Sequence, residues 1–288
     1  MTQTTKKVTI SEKATELKIN YKEYPEYMFA MIASFLPERE GDDLRRVAGC
    51  VVFRHEKNGV SYKNGLIHSY NDKPAVVKRN IYEWYRNGEL HREGDLPACI
   101  EGDRQTWYID GERHREGDKP AYVSKNTQQW FKNGVLHREG DQPAYIDNTR
   151  TQWFKNGSLH REGDKPASIN KNGLHLWYIN GDRHREGDQP ALIHGDRREW
   201  YIDGDLHREG DQPALIYGDR REWYIDGDRH REGDLPAIID GYIQEWWVNG
   251  KKHREGDLPA VIEGNKQEWW VNGKRHREGD LPLTENVT

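Results

Sequence analysis

The pentapeptide His-Arg-Glu-Gly-Asp (HREGD) occurs nine times in this 288-residue chain, and its side chains could supply a general base, an anion-binding cation or metal ligands. The motif histidines are His91, His114, His137, His160, His184, His207, His230, His253 and His276. An active site needs one asymmetric pocket in which a nucleophile, a base and a stabilising group converge. Nine equivalent copies cannot each form such a pocket, and no serine or cysteine recurs with them as a nucleophile. The sequence therefore predicts no catalytic residue and no enzyme.

A metal site or a bound cofactor is not predicted either. Copies of HREGD in neighbouring repeats of a β-sheet would lie two strands, about 9–10 Å, apart, whereas zinc holds its ligands at about 2 Å. We interpret HREGD as a structural corner motif. Its arginine is expected to pair with an acidic residue of its own or the next repeat, and its histidine with a backbone carbonyl. Its glycine would permit the turn.

The motif marks a 23-residue repeat, as in the step from His91 to His114. A single step of 24 separates His160 from His184, and a degenerate copy at His68 brings the count to ten repeats over residues 56–282. Each repeat contains a pair of aromatic residues followed by Asn-Gly or Asp-Gly, which favours the type I′ turn of a β-hairpin. The Pro-Ala after the motif opens a segment that alternates like a strand with one buried face. The prediction is an all-β, elongated array of antiparallel hairpins, with the extra residue of the 24-residue step in a longer loop.

The composition favours a thin β structure over a large globular core. Hydrophobic residues make up only 34% of the chain and charged residues 32%, yet 11 tryptophans and 15 tyrosines argue against disorder. The net charge of −5 provides no field that would attract nucleic acid or anionic lipid. Two cysteines make no disulfide framework, the start has no signal-peptide pattern and no apolar run is long enough for a membrane span. A cytoplasmic protein that binds neither nucleic acid nor membranes is expected.

The spacing of aromatic, glycine and histidine residues, as in Trp223, Gly227, His230 and Gly233, resembles the MORN repeat. The resemblance covers about four-fifths of the chain. It implies stacked β-hairpins in a long twisted antiparallel sheet. The chain departs from the MORN pattern in the Asp-x-Pro-Ala that follows the last glycine. HREGD-Pro-Ala arrays also resemble repeat proteins of large DNA viruses of amoebae, which implies a viral structural or host-interaction protein located in a virion or the host cytoplasm.

The recurring tryptophans admit two interpretations. In one they form the core, because the sequence offers little other apolar area to bury. In the other they form an exposed aromatic stripe that binds a partner protein, since adjacent residues of a strand point to opposite faces. The residues of this candidate stripe are Trp130, Trp153, Trp177, Trp200, Trp223 and Trp246.

Residues 1–55 depart from the repeat pattern. Beyond an extension at 1–22, the segment 23–55 has apolar residues at helical spacing after Pro25, which suits a first helical turn. A second helix is predicted from Asp42 or Asp43 through Val51. One interpretation is a helical cap that shields the open edge of the sheet. Residues 283–288 form a C-terminal tail.

A second interpretation of this segment is an F-box. The order of Pro25, Ile32, Phe35-Leu36-Pro37 and Leu44 resembles that motif across positions 24–50. The resemblance implies docking to the Skp-type adaptor of a cullin ubiquitin ligase, with the repeats as the substrate reader. The candidate adaptor-binding residues are Pro25, Met28, Ile32, Phe35, Leu36 and Leu44. The predicted function is thus a scaffold for protein–protein interaction, with the ubiquitin-ligase adaptor as the alternative. Open sheet edges leave both a monomer and a homodimer compatible with the sequence.

Overall fold

The computed structural model of this protein describes residues 51–55, 60–63, 66–276 and 284–286. These residues form β-strands and turns, and none of them is helical. The two predicted N-terminal helices, with Pro25, Met28, Ile32, Phe35, Leu36 and Leu44, lie outside the described residues, apart from the end of the second helix at Val51. The chain divides into two compact units, residues 1–125 and 126–288. The all-β prediction and the 23-residue period are confirmed within each unit.

Every complete repeat has the same four short strands. In one repeat of the second unit, Leu192–His194 pairs antiparallel with Arg197–Glu199 in the sheet. The chain then forms a small hairpin from Tyr201–Ile202 and Asp205–Leu206. Arg197–Glu199 pairs on its other side with Leu215–Tyr217, the first strand of the next repeat. Each repeat therefore joins its successor through an antiparallel ladder, and strands this short gain their stability from that stacking.

The first unit contains eight sheet strands and two small hairpins among the described residues. The sheet strands are Val51–His55, Val60–Lys63, Leu66–Ile67, Val76–Lys78, Ile81–Glu83, Cys99–Glu101, Arg104–Thr106 and Tyr122–Val123. The small hairpins are Tyr85–Arg86 with Glu89–Leu90, and Tyr108–Ile109 with Glu112–Arg113.

The second unit continues the same pattern. Its sheet strands are Gln128–Gln129, Tyr145–Ile146, Arg150–Gln152, Ser168–Asn170, His175–Leu176, Leu192–His194, Arg197–Glu199, Leu215–Tyr217, Arg220–Glu222, Ile238–Asp240, Ile243–Glu245, Val261–Glu263, Lys266–Glu268 and Thr284–Asn286. Its small hairpins are Phe131–Lys132 with Val135–Leu136, Phe154–Lys155 with Ser158–Leu159, Tyr178–Ile179 with Asp182–Arg183, Tyr201–Ile202 with Asp205–Leu206, Tyr224–Ile225 with Asp228–Arg229, Trp247–Val248 with Lys251–Lys252, and Trp270–Val271 with Lys274–Arg275.

Two segments differ from the predicted boundaries. The end of the predicted second helix is instead the strand Val51–His55, which pairs with Val60–Lys63. The run Val51-Val52-Phe53 is β-branched and aromatic, and a neighbouring strand favours the extended form of such residues. At the other end, Thr284–Asn286 in the predicted tail pairs with Lys266–Glu268 and extends the sheet by one strand.

The turns follow the chemistry of their residues. Asp110 and Gly111 have φ values of 47° and 79°, the two positive angles that a type I′ turn requires. At the tip of the sheet hairpin, Gly102 has φ 58° and Asp103 has an ordinary negative φ. This arrangement matches the type II′ turn, in which glycine takes the first central position. The extra residue of the 24-residue step lengthens the connection between Ser168–Asn170 and His175–Leu176, as predicted.

The core is thin and is built from two residues per repeat. The alanine of Pro-Ala is 0–1% exposed in every described repeat, and the tryptophan is 4–9% exposed. Backbone hydrogen bonds join the same two positions across repeats, because the Trp200 N–H donates to the Ala214 carbonyl at 2.8 Å. The His207 N–H in turn donates to the Trp200 carbonyl at 3.1 Å. An almost complete absence of exposed surface at this position favours a small side chain, in keeping with an alanine that does not vary.

The first sheet hairpin suggests a stabilising substitution. Arg79 has φ 50° at the turn position that glycine occupies in the next repeat, at Gly102. A side chain in the left-handed region costs roughly 1–2 kcal/mol, so Arg79→Gly is expected to raise the free energy of unfolding by about 1 kcal/mol after the entropy cost of glycine. Urea denaturation measures the change. The matched control, Gly102→Arg, should destabilise by a similar amount. A loss of stability in Arg79→Gly would contradict this account of the turn.

Candidate functional site

The structure buries the tryptophans that the sequence offered as a binding stripe. Trp130, Trp153, Trp177, Trp200, Trp223 and Trp246 are each only 6–9% exposed. One face of each ring is covered by the motif arginine of its own repeat, with the guanidinium carbon 3.7–4.0 Å from the ring centroid. A partner cannot reach rings that are covered in this way. The interpretation as core is the one that this geometry supports.

The motif arginine links three parts of the fold. The guanidinium of Arg208 stacks on Trp200 with its carbon 3.8 Å from the ring centroid. It donates two hydrogen bonds, of 2.7 and 3.1 Å, to the carboxylate of Asp188 in the preceding HREGD. A third bond of 3.3 Å goes to the Pro213 carbonyl. The planar guanidinium fork is suited to this combination of stacking and bidentate pairing. We call the set of Arg208, Trp200 and Asp188 a rung.

The rung recurs along both units. Six further pairs join a motif arginine to the equivalent aspartate one repeat earlier, with nitrogen–oxygen distances of 2.6–2.7 Å. They are Arg92–Asp72, Arg115–Asp95, Arg161–Asp141, Arg185–Asp164, Arg231–Asp211 and Arg254–Asp234. A ladder of arginine and acid is thus present in the described residues, but the partner of each arginine is the aspartate of the preceding repeat and not, as predicted, an acid of its own or the next repeat. The pKa of these aspartates is lowered, mainly because the arginine donates hydrogen bonds to each carboxylate.

The backbone at the motif aspartate completes the rung. Asp188 has φ 49°, a left-handed conformation that aspartate tolerates better than most residues. In this conformation its carbonyl accepts a 3.2 Å hydrogen bond from the indole N–H of Trp200. One residue therefore binds both the arginine and the tryptophan of the following repeat. At Asp141 the backbone is not left-handed, and the indole N–H of Trp153 has no partner among the described residues.

The motif histidine connects to the next repeat through a backbone amide. Nδ1 of His207 accepts a 3.2 Å hydrogen bond from the N–H of Asp226, in the following hairpin turn. Its Nε2 lies 3.3 Å from Glu209 of the same motif. Nδ1 also lies 2.9 Å from the Asp226 carboxylate, so this ring nitrogen meets both the amide and the side chain of Asp226. The sequence predicted a carbonyl partner; the ring instead receives an N–H. The same acceptor bond is made by His68, His91, His137, His160, His184, His230 and His253.

Buried glutamates form clusters that the sequence interpretation missed. Glu222 is 3% exposed and accepts hydrogen bonds from the Tyr224 hydroxyl at 2.7 Å, from Arg220 at 2.6 Å and from Arg229 at 3.0 Å. Burial raises its pKa, but these donors outweigh burial and the net shift is downward. Glu199 is paired with Tyr201 in the same way, and burial together with that bond raises the pKa of Tyr201 to about 12. A glutamate directly before the tryptophan in repeat after repeat was the signal that could have revealed them.

The other candidate groups among the described residues are possible metal ligands, one thiol and one groove. The described residues contain no group of three His, Cys, Asp or Glu side chains placed to hold a metal ion. Burial raises the pKa of the half-buried Cys99 thiol, which disfavours the reactive thiolate. One groove of about 240 Å³ lies between the motifs at His137 and His160. Its lining consists of rung residues and their neighbours, so it repeats the ladder instead of forming a distinct pocket.

The chain matches no protein-family model, and no curated protein is significantly similar to it. Within the described residues there is no helix with the length and apolar character needed to cross a membrane. In the described repeats the tryptophan and arginine of the rungs are largely buried, whereas the small hairpins and the glutamates of HREGD, such as Glu209, lie on the surface.

The rung predicts which member of HREGD matters for stability. Arg208→Lys keeps the charge but loses the bidentate fork and the planar stacking, so it should lower the free energy of unfolding by about 2 kcal/mol. Glu209→Gln in the same motif changes a carboxylate that is 86% exposed, and it should stay within about 0.5 kcal/mol of the parent protein. Urea denaturation at neutral pH compares the two. Equal effects of both substitutions would show that the rung does not carry the stability.

The aspartates predict a loss of stability in acid. Because the folded pKa of Asp188 and its equivalents lies below the ordinary value of about 4, their contribution is complete above that value and disappears as the pH falls through the folded pKa. The urea midpoint should therefore decline steeply from about pH 5 to pH 2. Asp188→Asn should lower the midpoint at pH 7 and flatten the decline. A midpoint that stays constant down to pH 3 would refute the assignment.

Proposed function

We propose that this protein is a non-enzymatic repeat scaffold that binds other proteins through its β-sheet surface. The main support is the role of the HREGD side chains that could do chemistry. The arginine, aspartate and histidine of the motif form contacts between neighbouring repeats. A residue engaged in this way stabilises the array and is not available to bind substrate. The repeated positions outside the rungs remain accessible, and repeat proteins commonly use such surfaces to bind partners.

The resemblance to MORN repeats supports the same proposal. So does the hairpin architecture with its 23-residue period. The similar arrays of large DNA viruses favour a viral structural or host-interaction protein of the cytoplasm or virion. The net charge of −5 disfavours nucleic acid and anionic membranes as the bound surface. A homodimer formed through sheet edges is compatible with a scaffold role.

The alternative function is a substrate adaptor of a cullin ubiquitin ligase. The observation that favours it is the F-box resemblance of residues 24–50, with Ile32 and Leu36 as central apolar positions. In that function the repeats hold the target protein and the N-terminal segment binds a Skp-type adaptor.

Site-specific photo-crosslinking tests the scaffold function. A photoreactive residue is placed at Ile225 on a small hairpin, and separately at Tyr242 on a sheet turn, where the side chain is 72% exposed. In eukaryotic cell extract we expect a discrete protein adduct at one of these positions that an excess of unlabelled, folded chain prevents. The absence of a competable adduct at both positions would argue against a scaffold.

Co-purification with a purified Skp-type adaptor separates the two functions. If the chain is a ubiquitin-ligase adaptor, the full chain should retain the Skp-type protein and the double variant Ile32→Asp, Leu36→Asp should lose it while its urea midpoint is unchanged. If the segment is a cap, the parent chain should not retain the Skp-type protein and the variant should be less stable than the parent.

A further inference from the structure

The second residue of the small hairpin's first strand, two positions after the tryptophan, changes from lysine to an aliphatic residue along the second unit. In the first two repeats of that unit it is Lys132 and Lys155. Their ammonium groups lie 2.7 and 2.8 Å from Glu139 and Glu162, the glutamates of their own HREGD motifs. These contacts establish that the hairpin position and the motif glutamate lie side by side on the surface.

From residue 179 onward the same position is aliphatic. Its residues are Ile179, Ile202, Ile225, Val248 and Val271, which we call the aliphatic row. The central members Ile202, Ile225 and Val248 are 36–38% exposed, and the outer members Ile179 and Val271 are partly exposed. Aliphatic side chains that recur on the surface once per repeat form an apolar strip, which is a feature of interaction sites.

The glutamates beside the aliphatic row have lost their cations. Glu186, Glu209, Glu232 and Glu255 have side chains 82–87% exposed, and each lies near the Nε2 of its own motif histidine. Among the described residues, no lysine or arginine lies within ion-pair distance of these four. Asp203 and Asp226, in the adjoining hairpin turns, add further negative charge to the same surface. The strip therefore combines apolar side chains with carboxylates that no lysine or arginine of the described residues neutralises.

The spacing of the strip defines a partner. Successive repeats are displaced by two strands, about 9–10 Å. One turn of a polyproline-II chain contains three residues, presents every third side chain to the same side and rises about 9 Å, nearly the same distance. A peptide lying along the strip would thus meet one glutamate at every third residue. Negative charge excludes nucleic acid and anionic membrane as occupants.

We propose that the aliphatic row and its four glutamates bind an extended basic segment of a partner protein, with lysine or arginine at every third residue and apolar residues between. This inference rests on the scaffold function proposed above and specifies its partner class. Apolar side chains of the segment contact Ile202, Ile225 and Val248. Its cations pair with the flanking carboxylates, which supply the specificity and the register.

Two synthetic peptides of equal composition test the proposal on the full chain by fluorescence anisotropy. One is a 12-residue peptide of four Lys-Ala-Val triplets, and the other is an isomer with its four lysines in one block. The block spans about 10 Å and reaches at most two glutamates. We expect the triplet peptide to bind at least about tenfold more tightly, and to weaken as salt is added. Equal binding of the isomers, or no binding of either, would overturn the proposal.

Paired variants locate the binding. Glu209→Gln with Glu232→Gln keeps an oxygen beside the histidine Nε2 but removes two charges, so the triplet peptide should bind about fivefold more weakly. Ile202→Ser with Ile225→Ser should weaken it to a similar extent. The matched control is Glu139→Gln with Glu162→Gln, where Lys132 and Lys155 already neutralise the carboxylates, and it should change affinity less than about twofold. An equal loss of affinity in the control pair would mean that the peptide is attracted only by the overall negative charge. That result would contradict the assigned site.

The outcomes separate this proposal from the scaffold function itself. A competable protein adduct at Ile225 or Tyr242, together with no preference for the triplet peptide, would overturn the basic-segment assignment and leave the scaffold intact. Absence of both would overturn the two together. A preference for the triplet peptide that the paired variants abolish supports both.

Discussion

The stacking of an arginine on a tryptophan, secured by the aspartate of the preceding repeat, is the interaction on which the rest of this structure depends. Arg208 and its equivalents cover one face of the tryptophan rings that the described repeats bury. A desolvated cation–π contact is worth about 2 kcal/mol, and bidentate pairing adds to it. Because every rung connects a repeat to its neighbour, stability accumulates repeat by repeat.

The sequence was sufficient to predict the turns and strands within a repeat, although not the buried glutamate clusters. Asp110-Gly111 predicted its turn because few other residues accept two positive φ angles, and Pro97-Ala98 predicted the start of a strand. The contacts between repeats were harder to predict. A pattern in one dimension does not show that Arg208 reaches back to Asp188 of the preceding motif while Trp200 lies beneath it, so the tryptophans could be interpreted as either core or stripe. The partner of the histidine was mistaken for the same reason, since the Asp226 amide belongs to the next repeat.

The residue directly before the tryptophan varies along the chain, although the HREGD motif stays constant. In the later repeats a buried glutamate, such as Glu222, collects arginine and tyrosine donors beneath the sheet. In an earlier repeat, Gln152 takes the equivalent place and bonds Ser168 at 3.2 Å. A buried carboxylate is tolerated only where all of its hydrogen-bond donors are present. The stability of the later repeats therefore depends more strongly on the residues around the buried glutamate. Repeats with such a buried glutamate, for example the one with Glu222, also carry residues of the aliphatic row such as Ile225.

The 24-residue step has a consequence for how such a chain changes over generations. Arg185 still meets Asp164 at 2.7 Å although one extra residue separates them, because the added residue is absorbed in a turn. Residues 190–212 and 213–235 are almost identical, so either repeat could be lost or copied once more without changing the contacts at the junction. The protein that results remains in register, since each new arginine finds an aspartate behind it. The number of repeats can therefore change without any change in the contacts that hold one repeat to the next.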